Sequence, residues 1–159
     1  MSSLDVVVAG LGNRYRGDDA VGPLVAALLA GTRGVRDIGP LTEPLELLGR
    51  FDGADLAIVI DAVRSGAPLG SVRVLDVDVS NSDDHARPEP AVTSTHGIGL
   101  VGVLRLARAV HRAPRRLVVV AVEGEMFELG SEMNAAVTAA VPVALSAVVS
   151  LIEEEQLCV

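Results

Sequence analysis

Leu4-Asp-Val-Val-Val-Ala-Gly-Leu-Gly-Asn-Arg-Tyr-Arg-Gly-Asp-Asp-Ala-Val-Gly-Pro-Leu-Val25 changes its structural period midway. The apolar run over 4–10 reads as a buried strand, and it ends in a glycine-rich turn at Gly10, Gly12 and Gly17. From 19 to about 30 the apolar residues recur with helical spacing, which places Val21, Leu24, Val25 and Leu28 on one face. Asp18 or Asp19 is positioned to cap that helix. Pro23 sets the helix start close by, because proline is tolerated only near the first turn.

The pattern repeats downstream. Residues 34–38 form a short second strand, and 45–51 a short helix or helical turn. Leu56-Ala-Ile-Val-Ile-Asp61 is the clearest buried strand, and it ends on an aspartate. A turn over 66–70 leads to a strand over 71–77 with one solvated side. Residues 78–93 are polar, carry Pro88 and Pro90, and read as a mobile loop over one end of the sheet that borders a substrate groove. A helix over 97–111 turns Leu100, Val103, Leu104 and Ala107 inward and Arg105, Arg108 and Arg112 outward. A last strand over 116–123 precedes a helix over 131–153, with Met133, Val137, Val141, Leu145, Val148 and Ile152 inward and a kink at Pro142. The order β-α-β-(α)-β-β-α-β-α predicts an α/β three-layer sandwich: a mixed, mainly parallel sheet of about five strands with helices on both faces, in one domain over 1–159.

Composition agrees. Half the residues are apolar, yet Tyr15, Phe51 and Phe127 are the only aromatics, so the core must be aliphatic. Strands apolar on both faces belong in parallel sheets covered by helices. A formal net charge of -8 makes the chain a poor ligand for nucleic acid or an anionic membrane. The single cysteine, Cys158, excludes an internal disulfide and is too near the chain end for catalysis. The N-terminus shows no basic region of a signal peptide, and no run reads as a bilayer span, so the expected location is the cytoplasm, without membrane insertion.

Sites in open α/β sheets lie outside the carboxyl ends of the strands. Three segments bring polar residues there: the loop after the first strand with Asn13, Asp18 and Asp19, the end of the central strand with Asp61, and the start of a helix with His96. Asp19, Asp61 and His96 form an O,O,N set suited to zinc, nickel, iron or manganese. A metal held there would polarise a peptide carbonyl and lower the pKa of its water. Each residue has a plainer reading too: an aspartate as helix cap, Asp61 as a strand terminator, His96 as a helix-start residue. Gly10-Leu-Gly12 is no dinucleotide fingerprint, since Tyr15 holds the place of the third glycine and two aspartates would repel a pyrophosphate. No G-x-S-x-G elbow or H-E-x-x-H motif is present, so a serine or cysteine protease mechanism is not expected.

Gly10-Leu-Gly-Asn-Arg-Tyr-Arg-Gly-Asp-Asp-Ala-Val-Gly22, Ile58-Val-Ile-Asp-Ala-Val63 and Thr93-Ser-Thr-His-Gly-Ile-Gly-Leu100 together resemble the hydrogenase maturation endopeptidases. The likeness continues through Val120-Ala-Val-Glu-Gly124, Leu129-Gly130 and the segment ending at Pro142. It implies an endopeptidase that removes the C-terminal extension of a nickel–iron hydrogenase large-subunit precursor after nickel insertion. It implies Asp19, Asp61 and His96 as metal-binding and catalytic residues, with nickel carried by the precursor or another divalent metal in the isolated protein. The acting species is expected to be a monomer. Where many relatives have Gln-Pro, this chain has Glu123-Gly124, a departure expected to alter a strand-end contact near the peptide groove. Two other readings stand beside this one. A non-cleaving chaperone would bind the precursor without cutting it. A peptidyl-tRNA hydrolase-like enzyme would share the Gly-Leu-Gly-Asn start, but Asp18-Asp19 and the acidic balance count against it.

Overall fold

The structure is a computed structural model that describes residues 3–77, 79 and 99–158. His96 and all of the 78–93 loop except Val79 lie outside the described residues. Among the described residues five strands form one sheet: β1 (Val6–Leu11), β2 (Val35–Leu41), β3 (Leu56–Val63), β4 (Val72–Val77) and β5 (Arg116–Glu123). Their order is β2-β1-β3-β5-β4. The first four in that order run parallel, and β4 pairs antiparallel with β5 at the edge.

Among the described residues three α-helices, α1 (Val21–Leu28), α2 (Leu100–Ala109) and α3 (Ala135–Leu157), cover the sheet. Strand alternation sorts the core into two layers. Val6, Val8, Ile58, Ile60, Val118 and Val120 pack with α1 and α3 on one face. Ala9, Leu11, Ala57 and Val59 pack with α2, Leu47 and Phe51 on the other. β1 and β3 are buried along their full length, as strands covered on both faces must be. β4 has no fully buried residue, as an edge strand with a solvated side would.

Several expectations shift on contact with the fold. Residues 17–20 form a separate 3-10 turn, and α1 starts at Val21 with Pro23 in its first turn. The inner face of α1 is Val21, Val25 and Leu29, while Leu24 and Leu28 are exposed. The reason is at Gly10 and Gly22. A side chain on Gly10 would strike the Gly22 backbone, and one on Gly22 would strike the Leu11 and Ile60 carbonyls. The helix therefore lies close on β1 and β3 through its Gly22–Ala26 side, which turns Leu24 and Leu28 to solvent.

α3 starts and ends four residues later than expected, at Ala135 and Leu157, so Met133 precedes it and is partly buried, as is Leu145. It runs on through Pro142, which lies on its exposed side. There the Thr138 carbonyl, deprived of its helical donor, is on a solvent-facing residue. Contrary to the sequence expectation, Ala135–Leu157 is long and apolar enough to cross a membrane by length and composition. Part of that apolarity serves the core: Val137, Ala140, Val141, Ala144, Val148, Leu151 and Ile152 are buried against the sheet side of the domain.

Candidate active site

From β1 the chain goes to β2 on one side, and from β3 it goes to β4 and then β5 on the other, so the strand order reverses between β1 and β3. The crevice outside the carboxyl ends of two such strands is where doubly wound sheets bind ligands. Asp19 and Asp61 are both there, and both are buried.

Asp61 occupies the position in β3 between Ala62 and Ile60, in register with Ala121 of β5. By alternation its side chain shares the α2 face with Val59 and Val63. One of its carboxylate oxygens, Oδ1, is buried without a hydrogen-bond partner among the described residues. Burial first, and then the negative charge of Asp19, push its pKa well above the ordinary carboxylate range. Although 42 residues apart in sequence, Asp19 lies near enough for its charge to raise the Asp61 pKa.

Asp19 is positioned by the loop that follows β1. Its Oδ2 accepts the Asn13 N–H at 2.8 Å, and its own N–H bonds the Arg16 carbonyl at 3.1 Å. Gly12 has φ +134°, and a side chain there would run into the Asp19 backbone and come within 3.1 Å of Asp19 Oδ1. Glycine is thus required at 12 both by conformation and by space.

Neither aspartate caps α1, which has no side-chain cap. Asp18 instead faces away, into a fully buried socket. Its Oδ2 accepts the N–H groups of Glu125 (2.8 Å) and Met126 (2.9 Å) and the Asn134 side-chain amide (2.9 Å). Its Oδ1 accepts the Asn134 N–H at 2.7 Å. Asn134 is the residue from which α3 starts, so Asp18 anchors the beginning of the third helix rather than the first. Burial opposes ionisation, but these four bonds outweigh it and hold the Asp18 carboxyl below its usual pKa. Arg16 Nε to the Phe127 carbonyl (3.0 Å) and Gly130 N–H to the Tyr15 carbonyl (2.7 Å) complete the bracing between the two loops.

Glu123, the departure noted in the sequence, is buried and pins the turn after β3. Its carboxylate accepts the Ser65 N–H (2.7 Å), the Gly66 N–H (3.0 Å) and the Ser65 hydroxyl (2.7 Å). Gly124 lies where a Cβ would fall 2.8 Å from the Asp18 Cβ, and its N–H bonds the Val63 carbonyl at 2.9 Å. The pair Glu123-Gly124 therefore serves the packing behind the crevice.

Among the described residues no group of three His, Cys, Asp or Glu side chains forms a ready metal cage. The third expected donor, His96, lies outside them.

A small α/β sheet with two buried, mutually repelling carboxyl groups at its switch point is the frame of an enzyme that works at the strand ends. Residues 14–151 match the sequence model of the family described as hydrogenase maturation protease, and the chain belongs to that family. It is 29% identical to the hydrogenase expression/formation protein HupM of Azotobacter chroococcum mcd 1, over 96% of this chain and 74% of that protein. The fold is similar to an endopeptidase from Escherichia coli solved in solution, at TM-score 0.79 and 25% identity over 96% of this chain and 94% of the other. It is similar also to the hydrogenase maturating endopeptidase HybD of E. coli, at TM-score 0.77 and 24% identity with the same coverage. The protein is accordingly an endopeptidase of that family and not a peptidyl-tRNA hydrolase-like enzyme.

Proposed function

We propose that the protein cuts the C-terminal extension from a nickel–iron hydrogenase large-subunit precursor after nickel insertion, and that Asp19, Asp61 and His96 engage the nickel that the precursor carries. The observation behind this is the carboxyl pair, with Asp61 Oδ1 buried and without a partner among the described residues. An orphaned acceptor beside a second carboxylate is costly unless a proton or a cation comes to it. Carboxylate oxygen and imidazole nitrogen suit nickel(II). A nickel ion there would draw the tail across the crevice and polarise a peptide carbonyl beside it.

His96 is supported as the third donor by the placement of α2. Leu100, the first residue of that helix, packs against the cluster of Val63, Val119 and Ala121 beside Asp61. His96 precedes it by four residues, a stretch of chain that reaches at most about 14 Å. The reading takes a monomer in the cytoplasm as the acting species.

The test is binding to nickel-loaded precursor by wild type and by Asp19→Asn, Asp61→Asn and His96→Ala, each checked for folding by circular dichroism. The expected result is folded variants that bind roughly tenfold or more weakly and do not cut. Wild-type binding and cutting by all three would remove the crevice from the mechanism.

A further inference from the structure

The geometry points to a carboxylate-binding subsite beside Asp19, in which Arg14 holds an acidic group of the precursor tail. The inference rests on the proposed cleavage of that tail and assigns the part of it that is recognised.

A cleft of about 380 Å³ opens on the β1–β2 side of Asp19. Its walls include Gly12, Arg14, Tyr15, Pro23, Pro40 and Thr42. Asn13 also lines it, and the Asn13 N–H is the group that holds Asp19 Oδ2, so the cleft and the carboxyl pair share one loop. A volume of this size suits a small ligand or a short extended segment. A short stretch of the extension can lie across it.

Arg14 is the only charged residue among the cleft's lining residues, and its guanidinium has no hydrogen-bond or ion-pair partner among the described residues. Thr42 is already engaged, its hydroxyl bonding Glu46 at 3.0 Å. The backbone that presents Arg14 is fixed from three sides. Arg16 N–H bonds the Asn13 carbonyl at 3.1 Å, closing a turn with Arg14 and Tyr15 at its centre. Tyr15 N–H bonds Asn13 Oδ1 at 2.9 Å, and the Tyr15 carbonyl accepts the Gly130 N–H. A free guanidinium carried on a braced backbone turn, beside walls of proline and tyrosine, can pair with one anion on a short apolar segment. Its planar fork pairs two-pronged with a carboxylate. That carboxylate is either the C-terminus of the tail or an Asp or Glu side chain within it.

The test uses the intact protein and nickel-loaded precursor, with cleavage rates measured for wild type, Arg14→Gln and Arg14→Glu. Arg14 is exposed, so both variants should keep the wild-type circular dichroism melt. The expected result is a KM raised roughly tenfold in Arg14→Gln and further in Arg14→Glu, with kcat within about threefold of wild type. Two precursor variants then separate the sources. Appending glycines displaces the terminal carboxylate, and changing tail Asp and Glu to their amides removes side-chain carboxylates. One of these should raise the wild-type KM and leave that of Arg14→Gln unchanged. An Arg14→Glu KM equal to that of wild type, a loss confined to kcat, or indifference to both precursor changes would overturn the subsite and leave the cleavage reading intact. A wild-type protein that cuts no precursor would remove both.

Discussion

Replacing Asp18 by asparagine should destabilise the protein more than its similar shape suggests. The carboxylate accepts four hydrogen bonds in a fully buried socket, three of them at Oδ2 and one at Oδ1. An asparagine can place its carbonyl at the Oδ2 position, but its amide then meets the Asn134 N–H, donor against donor. One buried N–H loses its acceptor, which costs about 1–3 kcal/mol, and three bonds to an ion become bonds to a neutral amide. Together these amount to about 2–4 kcal/mol, or a Tm lower by roughly 5–15 °C for a chain of this size. The pH dependence should change as well. Because the folded-state pKa of Asp18 is depressed, its stabilisation is present above the unfolded carboxylate value and is lost as pH falls through the lower folded value. Asp18→Asn should flatten that acid limb. Thermal melts from pH 3 to 7, with hydrogen exchange at residues 125, 126 and 134, measure both effects. A Tm within about 2 °C of wild type at neutral pH, with unchanged protection at those amides, would refute the reasoning.

Asp61→Asn should act in the opposite direction on stability. The raised pKa means that ionising Asp61 costs stability as pH climbs above the unfolded value, so the neutral amide should melt higher at neutral pH while cleavage is lost. A melt below that of wild type at pH 7 would contradict this. Glu123→Gln should lower stability by about 1–3 kcal/mol at neutral pH, because a neutral amide satisfies the Ser65 and Gly66 donors less well, and a denaturant titration reads it. Cys158 is exposed at the residue that follows α3, so Cys158→Ala should leave the cleavage rate unchanged in a mass-spectrometric time course.

The sheet was legible because its strands are written in apolar runs. Val6–Ala9 and Leu56–Ile60 have no polar residue to suggest any other element, and the glycine turn after β1 marks the crevice. The place of Asp61 was legible for the same reason, since it follows such a run directly, and that of Asp19 from the glycine-rich loop after β1. Helix faces were less so. Which side of α1 is buried depends on Gly10 and Gly22 letting it sit down on the strands, a tertiary contact that periodicity does not encode. The role of Asp18 was hidden entirely. Its partners at 125, 126 and 134 are more than a hundred residues away, and locally it looks like a helix cap. The partners of Glu123 were hidden as well, because its turn towards Ser65 depends on the pairing of β3 with β5.

The central claim is that nickel in the precursor licenses the cut through the Asp19–Asp61 crevice. The most direct measurement is intact-mass spectrometry of one precursor, prepared with and without nickel, after incubation with equal amounts of the protein. The account predicts loss of the C-terminal tail from the nickel-loaded form and full-length mass for the nickel-free form. Equal cleavage of both would contradict it.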